Sequence, residues 1–229
     1  MLKRASTLIV AAILLAAGPL LAQRGGMGIG GMMPPAMSGL WNPVVGSGAL
    51  YEQTSKDGSK RLIMIAVVGK EESSDQTGYW LEFLAGEEGK LGVSQMLMVK
   101  GGGDITVAKM IIQQPGQPPM LISGAMMGMM AARGGAAPAT PKADIHEGAE
   151  VVGTESVTTP AGTFQCEHLR TKDGSNVWIS PKAGPWGLVK VASADSSMVA
   201  TKIITDAKSH VVGTPVPIES MMGRGRGQE

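Results

Sequence analysis

Short runs of apolar and β-branched residues, separated by polar and glycine-rich turns, recur along most of the chain. Runs of this length, bounded by Gly, Pro, Asn and Asp, favour strands over helices. They form two blocks, at about residues 46–123 and 147–208. The predicted strands are 62–68, 79–84, 93–99 and 105–112 in the first block, and 150–158, 163–171, 176–180, 188–193 and 198–205 in the second.

Three short segments have the chemistry of β-hairpin turns. Lys56-Asp57-Gly58 and Lys172-Asp173-Gly174 each place a glycine where the chain can take a left-handed conformation. Pro160-Ala161-Gly162 adds a proline that fixes the first loop residue. Because each turn lies between two predicted strands, the pattern indicates a meandering antiparallel sheet.

The predicted strand at 79–84 is apolar on both faces. Tyr79, Leu81 and Phe83 point one way, whereas Trp80 and Leu84 point the other. A sheet in water needs only one apolar face. The second face must therefore be covered by a helix, another sheet, a partner or a ligand.

We predict a mainly β fold: a curved antiparallel sheet that forms an open or half-closed barrel across both blocks, with little helix outside an N-terminal signal. Two smaller sheets separated by the Met-, Gly- and Ala-rich segment 124–141 are the alternative. Met and Ala favour a helix over 123–133, but the glycines there weaken it.

The first 22 residues have the parts of a cleavable signal peptide. Lys3 and Arg4 form a basic start, residues 8–15 form an apolar core, and Ala22 supplies the small residue at the cleavage site. The core is too short to span a bilayer, so we expect no stable membrane span after cleavage. Gln23 stands where a lipoprotein would need a Cys. We therefore expect a periplasmic or secreted protein without a lipid anchor.

The rest of the chain divides by composition. Residues 23–45 are rich in Gly, Met and Pro and predict a disordered leader. Residues 46–208 predict a single β-domain with a flexible insertion at 124–141. Residues 209–229 predict a disordered tail.

Composition excludes one class of function and shapes the core. The chain has 20 Lys and Arg against 19 Asp and Glu, which gives no electrostatic reason to bind nucleic acid. Cys166 is the only cysteine, so no internal disulfide supports the fold. Aromatic residues make up 3% of the chain and methionine supplies 17 residues, which predicts an aliphatic, Met-rich core.

The second block carries a family resemblance. It reads G-T-E-S-V-T-T-P-A-G-T-F-Q-C over 153–166, V-W-I-S over 177–180 and G-L-V-K over 187–190. This pattern resembles a family of uncharacterised bacterial envelope proteins, similar in turn to the periplasmic lipoprotein carriers (LolA/LolB-like). The resemblance implies an open, strongly curved sheet, partly closed by helices around an apolar cavity. It also implies binding of acyl chains, and it carries no catalytic residues over.

Cys166 and His168 lie on one face of a predicted strand, with Glu167 on the other. A thiolate nucleophile needs a base within hydrogen-bond reach, which this spacing could approach. No third orienting group accompanies the pair, and a buried Cys behaves as a small hydrophobe. We expect a structural Cys166 and a surface or edge His168.

His146 with Glu147 and Glu150, or with Asp144, offers imidazole and carboxylate ligands. The spacing matches no zinc arrangement, so we predict no metal and a solvated His146. His210 follows the last predicted strand, and no role is predicted for it.

Clustered methionines give an alternative chemistry. Thioethers are soft ligands that select Cu(I). Met126, Met127, Met129 and Met130 would supply such a site in the mid-chain segment. Methionines used throughout the predicted strands favour simple replacement of other apolar residues instead.

The sequence thus predicts an exported protein that is not an enzyme and has no cofactor. Its expected role is to hold a lipid or a partner's apolar segment on the concave face of the sheet. The alternatives are a Cu(I)-binding protein and an envelope interaction or scaffold protein. The predicted lining residues are Trp80, Leu81, Phe83, Met96, Met98, Trp178 and Trp186.

Overall fold

The computed structural model describes residues 40–73, 76–86, 92–101, 104–132 and 144–222. Within these ranges the strands form one open twelve-stranded sheet, accompanied by two α-helices, which confirms the predicted mainly β fold. The elements are β1 (Gly48–Ser55), β2 (Lys60–Glu72), β3 (Thr77–Gly86), β4 (Gly92–Gly101), β5 (Asp104–Gln113), β6 (Met120–Ser123), α1 (Gly124–Ala132), β7 (Ala149–Thr159), β8 (Gly162–Thr171), β9 (Asn176–Ile179), β10 (Leu188–Ala192), β11 (Ser196–Ile204), β12 (Val216–Pro217) and α2 (Ile218–Met222).

The order of the strands joins the two blocks into one sheet. It runs β12-β6-β5-β4-β3-β2-β1-β11-β10-β9-β8-β7. β1 lies between β2 and β11 and pairs with both in antiparallel register. Neighbouring strands are antiparallel except β12 and β6, which pair in parallel. The described strands therefore form one sheet, and the alternative of two separate sheets is wrong.

The three predicted turns connect neighbouring strands. Gly58 and Gly174 both have φ of 82°, in the left-handed region that favours glycine. They close the β1–β2 and β8–β9 hairpins. Pro160 and Ala161 form a two-residue loop between Thr159 and Gly162, which are paired in the β7–β8 hairpin. The three predicted hairpins are confirmed, although Gly162 begins β8 and does not start a bulge in a longer loop.

The sheet bends around one face, as the aromatic contacts show. The Trp41 ring lies 6.4 Å from that of Tyr79 on β3 and 4.6 Å from that of Trp186, which precedes β10. β3 and β10 are four positions apart in the sheet, about 19 Å if it were flat. The Tyr51 hydroxyl on β1 also donates to the Leu188 carbonyl oxygen at 3.1 Å. We call this the concave face, and the opposite one the outer face.

One hydrophobic cluster fills the concave face with side chains from both blocks. Its buried methionines confirm the predicted Met-rich core: Met96, Met98, Met110, Met126, Met127 and Met198. A smaller cluster lies on the outer face of the β8–β11 region and contains Phe164, Cys166, Ala183 and Val189.

Helix α1 occupies part of the segment that composition predicted to be flexible. Its Met126 and Met127 side chains are 8% exposed and belong to the concave cluster. Ser123 Oγ accepts a hydrogen bond of 3.2 Å from the Met126 backbone N–H, as an N-cap side chain does. Burial and capping offset the low helix propensity of the glycines, so the helix forms despite them. Residues 133–141 of that segment lie outside the described residues.

A segment after β11 crosses the outer face of β1–β6, and we call residues 205–215 the strap. The Ala207 N–H donates to the Gly46 carbonyl at 2.9 Å where the strap begins. The Val216 N–H donates to the Pro119 carbonyl at 2.9 Å where it ends, and β12 then pairs with β6. The strap is therefore a cover for the second face that the sequence left unassigned.

The strap also changes the predicted boundaries. Residues 209–222 have defined structure, which differs from the prediction of a disordered tail. Residues 40–45 of the predicted leader join the fold through Leu40, whose N–H donates to the Trp186 carbonyl at 3.0 Å. The predicted signal, the leader up to residue 39 and residues 223–229 lie outside the described residues. None of the helices in the described ranges is long and apolar enough to cross a membrane.

Candidate functional site

The structure brings five of the seven predicted lining residues together on the concave face. They are buried to an exposure of 3% or less and belong to its single cluster: Leu81, Phe83, Met96, Met98 and Trp186. Trp80 and Trp178 alternate with concave-face residues of their strands and so point to the outer face, where both are half-buried. The predicted set therefore does not line one surface.

The Trp186 indole is an unusual member of the concave cluster. Its side chain is 1% exposed, and its buried Nε1–H has no acceptor among the residues that the structure describes. An unsatisfied buried donor costs about 1–3 kcal/mol, so most such groups find a partner. Trp41 packs against this ring at 4.6 Å between centroids. The Trp186 Nε1–H is therefore a buried donor within a face that is filled by apolar side chains.

Cys166 is a structural residue, as the sequence predicted. The side chain is 0% exposed, and the thiol donates to the Phe164 carbonyl at 3.7 Å. Burial, together with the charge of Glu155, raises the pKa of the Cys166 thiol to about 11. The thiolate that a nucleophile requires is therefore disfavoured at neutral pH.

His168 is held in a surface array and does not serve the thiol as a base. Its ring stacks on Trp178 with centroids 4.5 Å apart, and Nε2 lies 3.0 Å from Asn176 Oδ1. Glu155 accepts from Trp178 Nε1 at 2.6 Å and lies 3.3 Å from His168 Nδ1. Lys190 Nζ lies 4.6 Å from the Trp178 ring centroid. With a side chain only 17% exposed, His168 is more buried than the predicted surface residue.

His146 joins two carboxylates, so the prediction of simple solvation is wrong. Nδ1 lies 2.5 Å from Asp144 Oδ1, and Nε2 lies 2.9 Å from Glu167 Oε2 on β8. Both ring nitrogens can donate only in the imidazolium form, which these partners favour. The hydrogen bond to Glu167, followed by that to Asp144, raises the pKa of His146. Glu147 and Glu150, the other carboxylates considered beside His146 in the sequence, are not part of this contact.

A buried polar network holds the strap, and the sequence analysis missed it. Glu82 on β3 is 0% exposed, and its carboxylate accepts from the His210 N–H at 2.9 Å. His210 Nδ1 lies 2.6 Å from Glu82 Oε1, and Gln95 Nε2 donates to Glu82 Oε2 at 2.7 Å. Gln95 Nε2 also donates to Ser209 Oγ at 2.7 Å. The signal was a single carboxylate within an otherwise apolar strand, because a buried charge requires partners.

An open groove of about 480 Å³ lies beside this network, between the strap and the β5–β6 turn. The Gln113 side chain at its wall accepts from the Val212 N–H at 2.8 Å and donates to the Val212 carbonyl at 2.9 Å. The Gln113 amide thus pairs with both backbone groups of Val212, as a neighbouring strand would, and holds the strap in place. The residues that line the groove are Val93, Gln113, Gln114, Pro115, Gly116, Gln117, Pro118, His210 and Val212.

Helix α1 separates the four methionines proposed as a Cu(I) site. Met126 and Met127 are each 8% exposed in the concave core, whereas Met129 and Met130 are 49% and 41% exposed. A single site would have to draw the two buried thioethers out of the core. Among the described residues, no cluster of three or more His, Cys, Asp or Glu side chains is placed to hold a metal ion.

β7 forms one edge of the sheet and is exposed along most of its length. Residues 150–156 are all exposed, including Val151 at 52% and Val152 at 47%. A bulge between Val151 and Gly153 bends the strand, and regular pairing with β8 continues from Gly153 to Thr159. Near the hairpin tip, the Ala161 N–H donates to the Ala200 carbonyl of β11 at 3.4 Å, which anchors the hairpin.

The register of the hairpin assigns the direction of the β7 backbone groups. Thr159 and Gly162 flank a two-residue loop and form a hydrogen-bonded pair. Hydrogen-bonded and non-hydrogen-bonded positions alternate along an antiparallel pair. The N–H and C=O groups of Thr154, Ser156 and Thr158, at the non-hydrogen-bonded positions, therefore point away from β8. The short contact of 3.1 Å between Thr158 Oγ1 and Thr163 Oγ1 agrees with a non-hydrogen-bonded pair at that position.

No protein family and no curated protein matches the sequence. Among solved structures, the chain is similar to an inferred exported protein with a YmcC-like fold from Bacteroides fragilis, at 12% identity and a TM-score of 0.35, covering 72% of this chain and 99% of that one. It is also similar to an inferred lipoprotein from Parabacteroides distasonis, at 12% identity and a TM-score of 0.32, covering 72% of this chain and 98% of that one. Values this low decide no function, and the resemblance to the lipoprotein carriers is not confirmed. Export stays a prediction from the sequence.

Proposed function

We propose that this is a non-catalytic, exported interaction protein that binds an extended segment of a partner along β7. The observation that supports the proposal is the long, exposed edge that β7 presents, eleven residues from Ala149 to Thr159. An edge strand presents a row of unpaired N–H and C=O groups, which an extended peptide can satisfy as an additional strand.

The contrast between the two edges of the sheet supports this choice. At the opposite edge, β12 contains two residues, one of them Pro217, and α2 follows directly. Ser123 at the end of β6 donates to Glu219 of α2 at 2.8 Å, which holds the helix at this edge. A short strand, a proline and a covering helix are the usual protections of an edge against pairing. Among the described residues no helix or loop covers β7, which has two adjacent exposed valines.

The side chains with catalytic chemistry have structural partners, which supports a non-catalytic role. The Cys166 thiol is buried with a raised pKa. Each of the three histidines has a carboxylate partner: His146 has Asp144 and Glu167, His168 has Glu155, and His210 has Glu82.

Hydrogen exchange with a neutral strand-forming peptide tests the proposed function. A ten-residue peptide of alternating Val and Thr should slow exchange of the outward amides of Thr154 and Ser156. Thr154→Pro removes an outward N–H without removing a bond to β8, so it should abolish the protection. Thr154→Ala keeps the N–H and is the matched control. Protection that survives Thr154→Pro, or that never occurs at β7, would exclude strand addition.

The apolar-ligand role on the concave face is a second candidate, supported by the unsatisfied Trp186 Nε1–H. An apolar chain with one acceptor, such as a carboxylate or an ester carbonyl, would satisfy that donor. Native mass spectrometry of protein purified from its own envelope tests this role. A co-purifying lipid that is lost in Trp186→Phe would support it, whereas protein free of lipid would reject it. The Cu(I) alternative predicts metal binding that disappears when 124–141 is deleted.

A further inference from the structure

We propose that the partner segment bound along β7 is basic, with Lys or Arg interspersed among apolar residues. The inference rests on the proposed function and specifies the chemistry of its partner. Backbone pairing at the edge accepts any extended segment and selects no sequence. The preference for a basic segment follows from the charge of the β7–β8 hairpin.

The hairpin and the turn before it are net acidic, and their single Lys or Arg residue is Arg170 on β8, which lies opposite Glu150. Between residues 144 and 171 the chain has five carboxylates against one Arg and no Lys, although the whole chain is balanced at 20 basic and 19 acidic residues. Acidic residues therefore outnumber basic residues at this edge. The five are Asp144, Glu147, Glu150, Glu155 and Glu167.

The carboxylates are placed where an added strand would meet them. Glu150 and Glu155 belong to β7 itself, and both are exposed. The Glu155 side chain is 52% exposed even though it accepts from Trp178 Nε1. Side chains directly opposite on neighbouring strands come within about 5 Å, so a cation on the added strand would lie beside these carboxylates.

The same charges disfavour the other occupants of this edge. A second copy of the chain would bring its own Glu150 and Glu155 to the shared edge, where like charges on neighbouring strands are destabilising. An acidic segment would meet the same repulsion. Val151 and Val152, exposed at 52% and 47%, favour apolar side chains in the segment. A basic, partly apolar segment satisfies both features.

Three ten-residue peptides test the inference: alternating Val and Lys, Val and Thr, and Val and Glu. We expect the Lys peptide to bind about five-fold more tightly than the Thr peptide at low salt, and the Glu peptide to bind more weakly than both. The advantage of the Lys peptide should fall in 0.5 M salt, where the Debye length is below ~5 Å. Isothermal titration calorimetry gives the affinities, and hydrogen exchange locates the peptide.

Variants assign the preference to the edge. Glu150→Gln combined with Glu155→Gln should remove the advantage of the Lys peptide and leave binding of the Thr peptide unchanged. Glu72→Gln, which removes an exposed carboxylate on β2, is the matched control and should leave the preference intact. Ser156→Pro is a second edge-blocking variant if Thr154→Pro unfolds, as shown by far-ultraviolet circular dichroism.

The possible results separate this inference from the proposed function. Equal binding of the Lys and Thr peptides at β7 overturns the charge preference and leaves strand addition standing. Absence of β7 protection by all three peptides overturns both. A dimer in analytical ultracentrifugation that Thr154→Pro dissociates would show a second copy as the occupant and overturn the basic partner.

Discussion

Removal of the Glu82 carboxylate should destabilise the protein more than removal of any exposed carboxylate. Glu82 is 0% exposed and accepts hydrogen bonds from Gln95 Nε2, the His210 N–H and His210 Nδ1. Hydrogen bonds to charged groups contribute about 1.5–3 kcal/mol each, and part of this offsets the cost of burying the charge. We expect Glu82→Ala to lower the free energy of unfolding by about 3 kcal/mol.

Two further variants show which part of the network carries the effect. His210→Ala removes one of the three bonds, and its ring is 51% exposed, so we expect a loss of about 1 kcal/mol. Glu72 forms an exposed ion pair with Lys70 and accepts from Thr77 Oγ1 at 2.6 Å, and Glu72→Ala should destabilise the protein much less than Glu82→Ala. Urea unfolding followed by tryptophan fluorescence gives the three values.

Hydrogen exchange distinguishes a loosened strap from a general loss of stability. The Val212 amide donates to Gln113. In Glu82→Ala, its exchange should accelerate relative to wild type by more than that of the amides of the β3–β4 ladder. If Glu82→Ala and Glu72→Ala differ by less than about 0.5 kcal/mol, the network does not stabilise the fold and the reasoning is refuted.

Three other outcomes follow from the environments of single residues. The folded pKa of His146 is raised above 6.5, so its contribution to the free energy of unfolding is complete below that pH and is lost as pH rises through the folded pKa. In urea unfolding, the stability difference between wild type and His146→Gln should therefore shrink from pH 5.5 to pH 8.5. A constant difference would contradict this. Cys166 should not react with a thiol reagent at pH 8 until urea unfolds the protein, and fast labelling of the native state would show that it is accessible. In dilute hydrogen peroxide, mass spectrometry should find Met129 and Met130 oxidised before the two buried methionines of α1, and equal rates would show that the helix opens.

Local sequence features predicted most strands and the turns that connect them. Gly58 and Gly174 mark turns because the left-handed conformation is costly for other residues, and this constraint does not depend on the rest of the fold. The same locality explains Cys166, which alternates with the polar residues Gln165 and Glu167 and is buried on the same face as Phe164. These features required no knowledge of which strands pair.

The strap could not be predicted by the same means. Its bonds join His210 to Glu82 and Val212 to Gln113, residues about a hundred or more positions apart in the chain. The segment has no apolar period, and in its middle the His210 and Val212 N–H groups bond to side chains of other strands instead of to a ladder. Composition alone therefore predicts disorder for a segment that these distant bonds hold in place.

The edge of the sheet was visible in the sequence but not interpreted. β7 is polar on both faces from Gly153 to Ser156, which is typical of a strand without a covering layer. The strand order decides which strand is the edge, and it depends on β1 pairing with β11 across most of the chain. The pattern of a single strand does not contain that information.

The position of β1 between β2 and β11 has a consequence for how the protein folds. Gly48 pairs with Ile204, so one side of this strand stays unpaired until nearly the whole domain is available. The loop that must close is long, and folding dominated by such distant contacts is slow. During that interval the first block presents an incomplete sheet with an open edge, a species prone to aggregation. A holding chaperone that shields β1 should therefore raise the yield of refolding more than one that acts on the second block.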